Sequence, residues 1–137
     1  MLDGHLEVTR LSGIYETEPV ETGPQPLFLN MVAELRGSTL PSPEQVMARL
    51  LRVEYALGRT REAPKAPRTI DLDLLIYPGE TRNTEFLTLP HPRLHQRRFV
   101  LAPLAELAPR LLHPTLLKAI STLLDEVADT SSVRRWR

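Results

Sequence analysis

Apolar and polar positions along the chain change period several times, and each change marks an element. From His5 to Tyr15 the apolar residues alternate only partly (Leu6, Val8, then Leu11 and Ile14), which predicts a strand. Glu16 to Pro26 holds three prolines and a glycine and predicts a loop. Phe28 to Leu35 predicts a second strand, with Phe28, Asn30, Val32 and Glu34 on one side and Leu29, Met31, Ala33 and Leu35 on the other. The period then becomes helical. Val46, Leu50, Val53 and Leu57 form an apolar stripe, preceded by Ser42 as cap, Pro43 at the first helical position and Gln45 to close a capping box. Gly58 ends that helix.

Residues 59–68 form a basic, proline-containing loop, followed by the run Ile70-Asp71-Leu72-Asp73-Leu74-Leu75-Ile76-Tyr77. Read as a strand, it puts Ile70, Leu72 and Leu74 on one face. Asp71 and Asp73 fall on the other, about 7 Å apart at Cα. Pro78-Gly79 turns the chain, Phe86 to Leu89 is short and extended, and Pro90-His91-Pro92 breaks it. Phe99 to Ala108 predicts a short helix carrying Leu101, Leu104 and Leu107. Leu116, Ile120, Leu123 and Val127 predict a C-terminal helix, followed by a polar tail ending Arg134-Arg135-Trp136-Arg137. Intermixed strands and helices indicate an α+β or α/β domain.

Composition narrows the function classes. A chain of 137 residues is expected to form a single domain over 1–137 with a core of its own. Its 17 basic and 17 acidic residues cancel, so no global field favours nucleic acid or an anionic membrane. Basic residues cluster locally, at Arg59 to Arg68 and at Arg93, Arg97 and Arg98, a pattern suited to a small anionic ligand. With no cysteine there is no disulfide, thiolate metal site or cysteine nucleophile. No apolar run reaches membrane-spanning length and no signal-peptide pattern opens the chain, so the expected location is the cytoplasm.

The chemistry concentrates around Asp71 and Asp73. Two carboxylates on one face of an apolar strand repel and lose hydration, and a hard divalent cation relieves both costs. The alternative is a wet edge strand with two surface aspartates. Arg59, Arg61 and Arg68 precede the pair, and His91, Arg93, His95, Arg97 and Arg98 follow it. Carboxylates for metal together with several cations suit phosphoryl-type transfer. None of the six glycines forms a phosphate-cradling cluster, so a nucleotide would be held by side chains and metal.

Five ordered blocks carry a resemblance. They are Tyr15-Glu16-Thr17-Glu18-Pro19-Val20, Gln25-Pro26-Leu27-Phe28-Leu29-Asn30, Gly58-Arg59-Thr60-Arg61, Ala66-Pro67-Arg68-Thr69-Ile70-Asp71-Leu72-Asp73, and Leu89-Pro90-His91-Pro92 with Arg97 and Phe99. Together they closely resemble the 6-hydroxymethyl-7,8-dihydropterin pyrophosphokinase family of folate biosynthesis, over residues 5–113, with 114–137 as a C-terminal helix and tail. The resemblance implies a ferredoxin-like α+β sandwich with a mostly antiparallel sheet. It implies transfer of pyrophosphate from ATP to the pterin hydroxymethyl oxygen, leaving AMP. Asp71 and Asp73 would hold two Mg²⁺ ions. Thr17, Val20, Phe28, Asn30 and Phe99 would bind the pterin, with the two phenylalanines sandwiching the ring. Glu54, Arg59, Arg61, Arg68, His91 and Arg97 match positions that touch ATP or close over it, with Arg59, Arg61 and Arg68 assisting catalysis. Association with other folate-pathway enzymes is a further expectation, and neither nucleic acid nor membrane is expected as a partner.

The chain departs from the family at three places. Lys65-Ala66 stands where Trp-Gly often precedes Pro-Arg, and Pro92 stands where many members have Tyr. The family's opening strand with its Gly-Ser-Asn-Leu turn, and the helix after it, have no counterpart, so an incomplete sheet is expected. Two rival readings therefore stand beside the pyrophosphokinase. One is a metal-dependent phosphohydrolase on the same Asp-x-Asp strand. The other is a truncated, inactive remnant that binds pterin and ATP.

Overall fold

Both alternating segments at the start of the chain break in the middle, at positions that face each other. In the computed structural model, which describes residues 6–17, 28–58 and 71–136, the first yields β1 (Glu7–Leu11) and β2 (Tyr15–Thr17), and the second β3 (Phe28–Asn30) and β4 (Ala33–Arg36). The remaining elements are α1 (Pro43–Ala56), β5 (Arg82–Asn83), β6 (Thr88–Leu89), a 3₁₀ turn at Leu94–Gln96, α2 (Arg98–Leu107), α3 (Ile120–Glu126) and β7 (Val133–Arg135). Two compact units result, one of Met1–Leu40 with Pro92–Arg137 and one of Pro41–His91. Every strand pairing among the described residues is antiparallel, and with three helices the fold is α+β, consistent with a ferredoxin-like sandwich.

In the first unit β1 pairs with β4, from Glu7 opposite Arg36 to Leu11 opposite Ala33. At the corner the buried Ser12 donates its N–H to the Val32 carbonyl (2.9 Å), and its Oγ accepts the Val32 N–H (2.9 Å). A serine hydroxyl satisfies the amide that the interrupted ladder leaves over, so one predicted strand becomes two on each side. Beyond the corner lies a second sheet of order β3-β2-β7. Its third strand comes from the polar tail, where Arg135 sits opposite Tyr15 and Val133 opposite Thr17. The Trp136 N–H extends the ladder to the Ile14 carbonyl (2.6 Å).

Helix α2 packs against β2, β3 and β7 and against α3. Leu94, Leu101, Pro103 and Ile120 are fully buried and Leu104 and Leu123 nearly so, which makes this the core of the unit. The C-terminal helix starts at Ile120, later than the Leu116 stripe predicts. His113 Nδ1 accepts the N–H groups of Thr115 (3.2 Å) and Leu116 (3.0 Å), closing a turn after Pro114, and Leu117 lies at φ 57°. That turn competes with helix for the same amides and wins.

In the second unit α1 opens with the expected capping box. Ser42 Oγ accepts the Gln45 N–H (3.2 Å) and Gln45 Oε1 accepts the Ser42 N–H (2.9 Å). Its buried face runs through Pro43, Val46 and Glu54, with Leu50 half-buried. The predicted stripe is corrected here, since Val53 and Leu57 are exposed and the buried i+4 series continues to Glu54 instead. Gly58, at φ 126°, follows the helix in a conformation that favours glycine. The β5–β6 hairpin is tied to the start of α1 by Arg82, whose Nε donates to Glu44 (2.6 Å).

Candidate functional site

The Asp71 segment does not join a ladder. Residues 71–76 carry no assigned strand, yet exposure alternates as predicted, with Asp71 and Asp73 exposed and Leu72 and Leu74 half-buried. Its backbone is satisfied by other means. The Leu72 N–H donates to the Glu54 carboxylate of α1 in a very short contact, and the Leu75 carbonyl accepts the His91 N–H (2.8 Å). The Tyr77 hydroxyl donates to the Pro41 carbonyl (2.7 Å). Glu54 is only 3% exposed, so the helix lends a buried carboxylate to hold an amide that a neighbouring strand would otherwise take. His91 is thereby clipped to the stretch that carries Asp71 and Asp73.

Two exposed carboxylates on one side of an extended segment are a donor set that suits Mg²⁺. That ion is commonly held by one or two protein carboxylates, with the rest of its shell left to water and phosphate. Among the described residues no cluster of three or more His, Cys, Asp or Glu could enclose an ion. An open two-carboxylate site, rather than an all-protein cage, is what these residues can form.

Thr17, Phe28, Asn30, Arg97 and Phe99 lie in the first unit. Thr17 is opposite Phe28 and Tyr15 opposite Asn30, so all four share one face of the β3-β2-β7 sheet, with Val133 and Arg135 beside them. This is the face that α2 covers. Glu106 on α2 accepts the Tyr15 hydroxyl (2.8 Å) and the Gly13 N–H (3.0 Å), and Arg135 approaches it at 3.5 Å. Phe99 precedes Glu106 by seven residues, two turns up the same side of α2, so it too faces the sheet. The Arg97 guanidinium lies over the Phe99 ring, 5.5 Å from its centroid. Phe28 is 55% exposed and available for stacking. Thr17 is 4% exposed and its Oγ1 has no hydrogen-bond partner among the described residues. A buried hydroxyl with no partner is uncommon and calls for a water or ligand group to satisfy it.

Val20, Arg59, Arg61 and Arg68 lie outside the described residues. Thr17, Phe28, Asn30, Arg97 and Phe99 fall in one unit, and Glu54, Asp71, Asp73 and His91 in the other. Tyr15 and Glu106 were not anticipated. Hydrogen bonds from Tyr15 and then Gly13 lower the Glu106 carboxyl below its ordinary range, and burial followed by the Glu106 bond raises the Tyr15 hydroxyl. Glu106 is the one charged residue in the apolar run Phe99 to Ala108, a signal that could have singled it out. A cavity of about 280 Å³, lined by His95, Leu116, Lys118, Leu123 and Glu126 among others, contains none of the residues that the resemblance assigns to pterin, ATP or metal.

Comparison with known proteins places these observations. The family model described as 7,8-dihydro-6-hydroxymethylpterin-pyrophosphokinase matches residues 1–109. The 2-amino-4-hydroxy-6-hydroxymethyldihydropteridine pyrophosphokinase of Bacillus subtilis is 48% identical over 100 residues, 73% of this chain and 59% of that protein. The protein of the same name from Aquifex aeolicus is 34% identical over 91% of this chain and 77% of its own length. A mitochondrial folate synthesis bifunctional protein of Pisum sativum is 40% identical over 74% of this chain and 19% of its own. The chain thus spans about three-fifths of the Bacillus subtilis protein and a minor part of the pea protein. With residues 1–109 of 137 matched and the Asp71/Asp73 and Phe28/Asn30 blocks in place, the chain belongs to the 7,8-dihydro-6-hydroxymethylpterin-pyrophosphokinase family.

Proposed function

We propose that the chain transfers the β,γ-diphosphoryl group of ATP to the hydroxymethyl oxygen of 6-hydroxymethyl-7,8-dihydropterin. A bond forms between that oxygen and the β-phosphorus, the bond from the β-phosphorus to the α,β-bridging oxygen breaks, the hydroxyl proton is lost, and AMP leaves. The observation that carries this reading is the unpartnered, buried Thr17 Oγ1 on the sheet face that also presents Phe28 and Asn30 to α2 and Phe99. A flat heterocycle with a polar edge meets both demands, since aromatic faces stack on its ring while a hydroxyl and an amide read its edge.

Asp71 and Asp73 are the carboxylates proposed to hold Mg²⁺, two ions in this reading. Bound there, the metal supplies compensation for the charge on the triphosphate oxygens. Glu54 and the His91 clip keep the segment that carries these carboxylates in place. The Arg97 side chain, held at the N-terminus of α2 over Phe99, offers a cation to the phosphates or the pterin tail. Arg59, Arg61, Arg68 and Val20 enter the proposal on the motif alone. A cytoplasmic location suits the ATP requirement, and no helix among the described residues is long and apolar enough to cross a membrane. Coupling to a second folate enzyme is proposed by likeness to the bifunctional pea protein.

The test is AMP formation from ATP by the full chain with Mg²⁺, with and without the reduced pterin. AMP released only when pterin is present supports the transfer, and ATP cleavage without pterin points to the hydrolase. Binding of both substrates by calorimetry with no AMP formed would leave the inactive remnant. Asp73→Ala is expected to lower kcat by about a hundredfold or more, and pterin affinity by less than about threefold. Excess EDTA should stop turnover and Mg²⁺ restore it. Turnover unchanged in Asp73→Ala or in EDTA overturns the metal assignment.

A further inference from the structure

Glu106 ties together two elements that carry opposite walls of the proposed pterin slot. One wall is the sheet face bearing Thr17, Phe28 and Asn30. The other is α2, which bears Phe99. The Glu106 carboxylate is 28% exposed and lies two turns from Phe99 along the same helix face. Oε1 takes the Tyr15 hydroxyl at 2.8 Å and the Gly13 N–H at 3.0 Å, and Oε2 lies 3.3 Å from the same N–H and 3.5 Å from Arg135. Gly13 and Tyr15 flank the start of β2, the middle strand of the sheet, and Arg135 is on β7. The Arg135 guanidinium lies directly over Gly13, where an added Cβ would meet Nε at 2.3 Å. One carboxylate therefore fixes the distance between helix and sheet at the strand that carries Thr17.

We infer that Glu106 is a positioning residue for the pterin, setting the gap between Phe28 and Phe99 through Tyr15, Gly13 and Arg135. The inference rests on the pterin reading above. Stacking a flat ring between two aromatic side chains tolerates little variation in their separation, and productive sites are held to about 0.5 Å. Arg135 is 61% exposed, so its ion pair adds little energy, and the two hydrogen bonds to Glu106 carry most of the tie. Of the residues proposed for metal and ATP, Glu54, Asp71, Asp73 and His91 belong to the other unit, and Arg97 sits at the far end of α2 from Glu106. The expected signature is a change confined to one substrate.

The experiment compares wild type, Glu106→Gln, Glu106→Ala and Tyr15→Phe in the full chain. It measures KM for each substrate, kcat, thermal midpoint, and direct binding of the fluorescent oxidised analogue 6-hydroxymethylpterin. Glu106→Ala should raise the pterin KM and the analogue Kd about tenfold, with the ATP KM within about twofold of wild type. Glu106→Gln keeps an acceptor for Gly13 and Tyr15 and should stay within about threefold of wild type for pterin. Tyr15→Phe removes one bond and should fall between them, and it serves as the readout if Glu106→Ala does not fold. Loss of thermal stability with unchanged pterin KM, or an equal rise in both KM values, overturns the positioning role alone. A wild-type chain that binds no analogue and forms no pterin-dependent AMP overturns the functional reading, and this inference with it.

Discussion

Single residues in this chain take their meaning from what their polar atoms meet. His113 is an example outside the proposed site. It is 3% exposed, packs edge-on to His95 with ring centroids 5.8 Å apart, and uses Nδ1 to accept two backbone N–H groups. A proton on Nδ1 would remove that acceptor. Burial first, and the neighbouring His95 second, hold its pKa below the ordinary 6.5. The unfolded chain then takes up the proton at higher pH than the folded one. The contribution to stability is complete above pH 6.5 and declines as pH falls below it, towards the folded value. The thermal midpoint should therefore drop between pH 7.5 and pH 5.5, and His113→Asn, which keeps an acceptor but cannot titrate, should flatten that slope. A slope unchanged in the variant would assign the effect to another group. Glu54 makes the same point for the site. The family resemblance matches it to a position that touches ATP or closes over it, and its buried carboxylate accepts the Leu72 N–H.

Elements separate into those written locally and those imposed from a distance. The start of α1 is local, since Ser42, Pro43 and Gln45 lie within four residues and specify a cap wherever the helix packs. Ser42→Ala is expected to cost about 1 kcal/mol, lowering the thermal midpoint by about 4 °C, with no change in either KM. Calorimetry of the two proteins checks it. The breaks at Ser12–Ile14 and Met31–Val32 are different. Ser12-Gly13 is a local hint of the first break, nothing comparable marks Met31-Val32, and only the pairing of Ser12 with Val32 shows why each ribbon ends there. The tail strand β7 is the extreme case, since Arg135 pairs with a residue at the other end of the chain. Likewise the late start of α3 follows from a histidine turn whose acceptor no helical periodicity reveals.

At the scale of the whole molecule, the proposed pterin residues and the proposed metal carboxylates belong to different compact units, each with its own means of support. Among the described residues the largest fully buried side chains, Leu94, Leu101, Pro103 and Ile120, lie in the first unit, whereas Leu51, Val53, Tyr55 and Leu57 of the other are exposed along or just beyond α1. Hydrogen exchange should accordingly be slowest in α2 and α3 and faster in the second half of α1, in accord with local burial. Uniform protection across the three helices would contradict that ordering. The sequence by itself determined the Asp71/Asp73 alternation, the α1 cap, the α2 span and the five blocks that identify the family. These depend on residues close together in the chain, where period and capping chemistry are enough. Tertiary structure alone decided that Thr17 is buried without a partner, that Glu106 joins helix to sheet, and that the tail becomes a strand. Each of those rests on atoms brought together from distant positions, and local preference carries no information about such pairings.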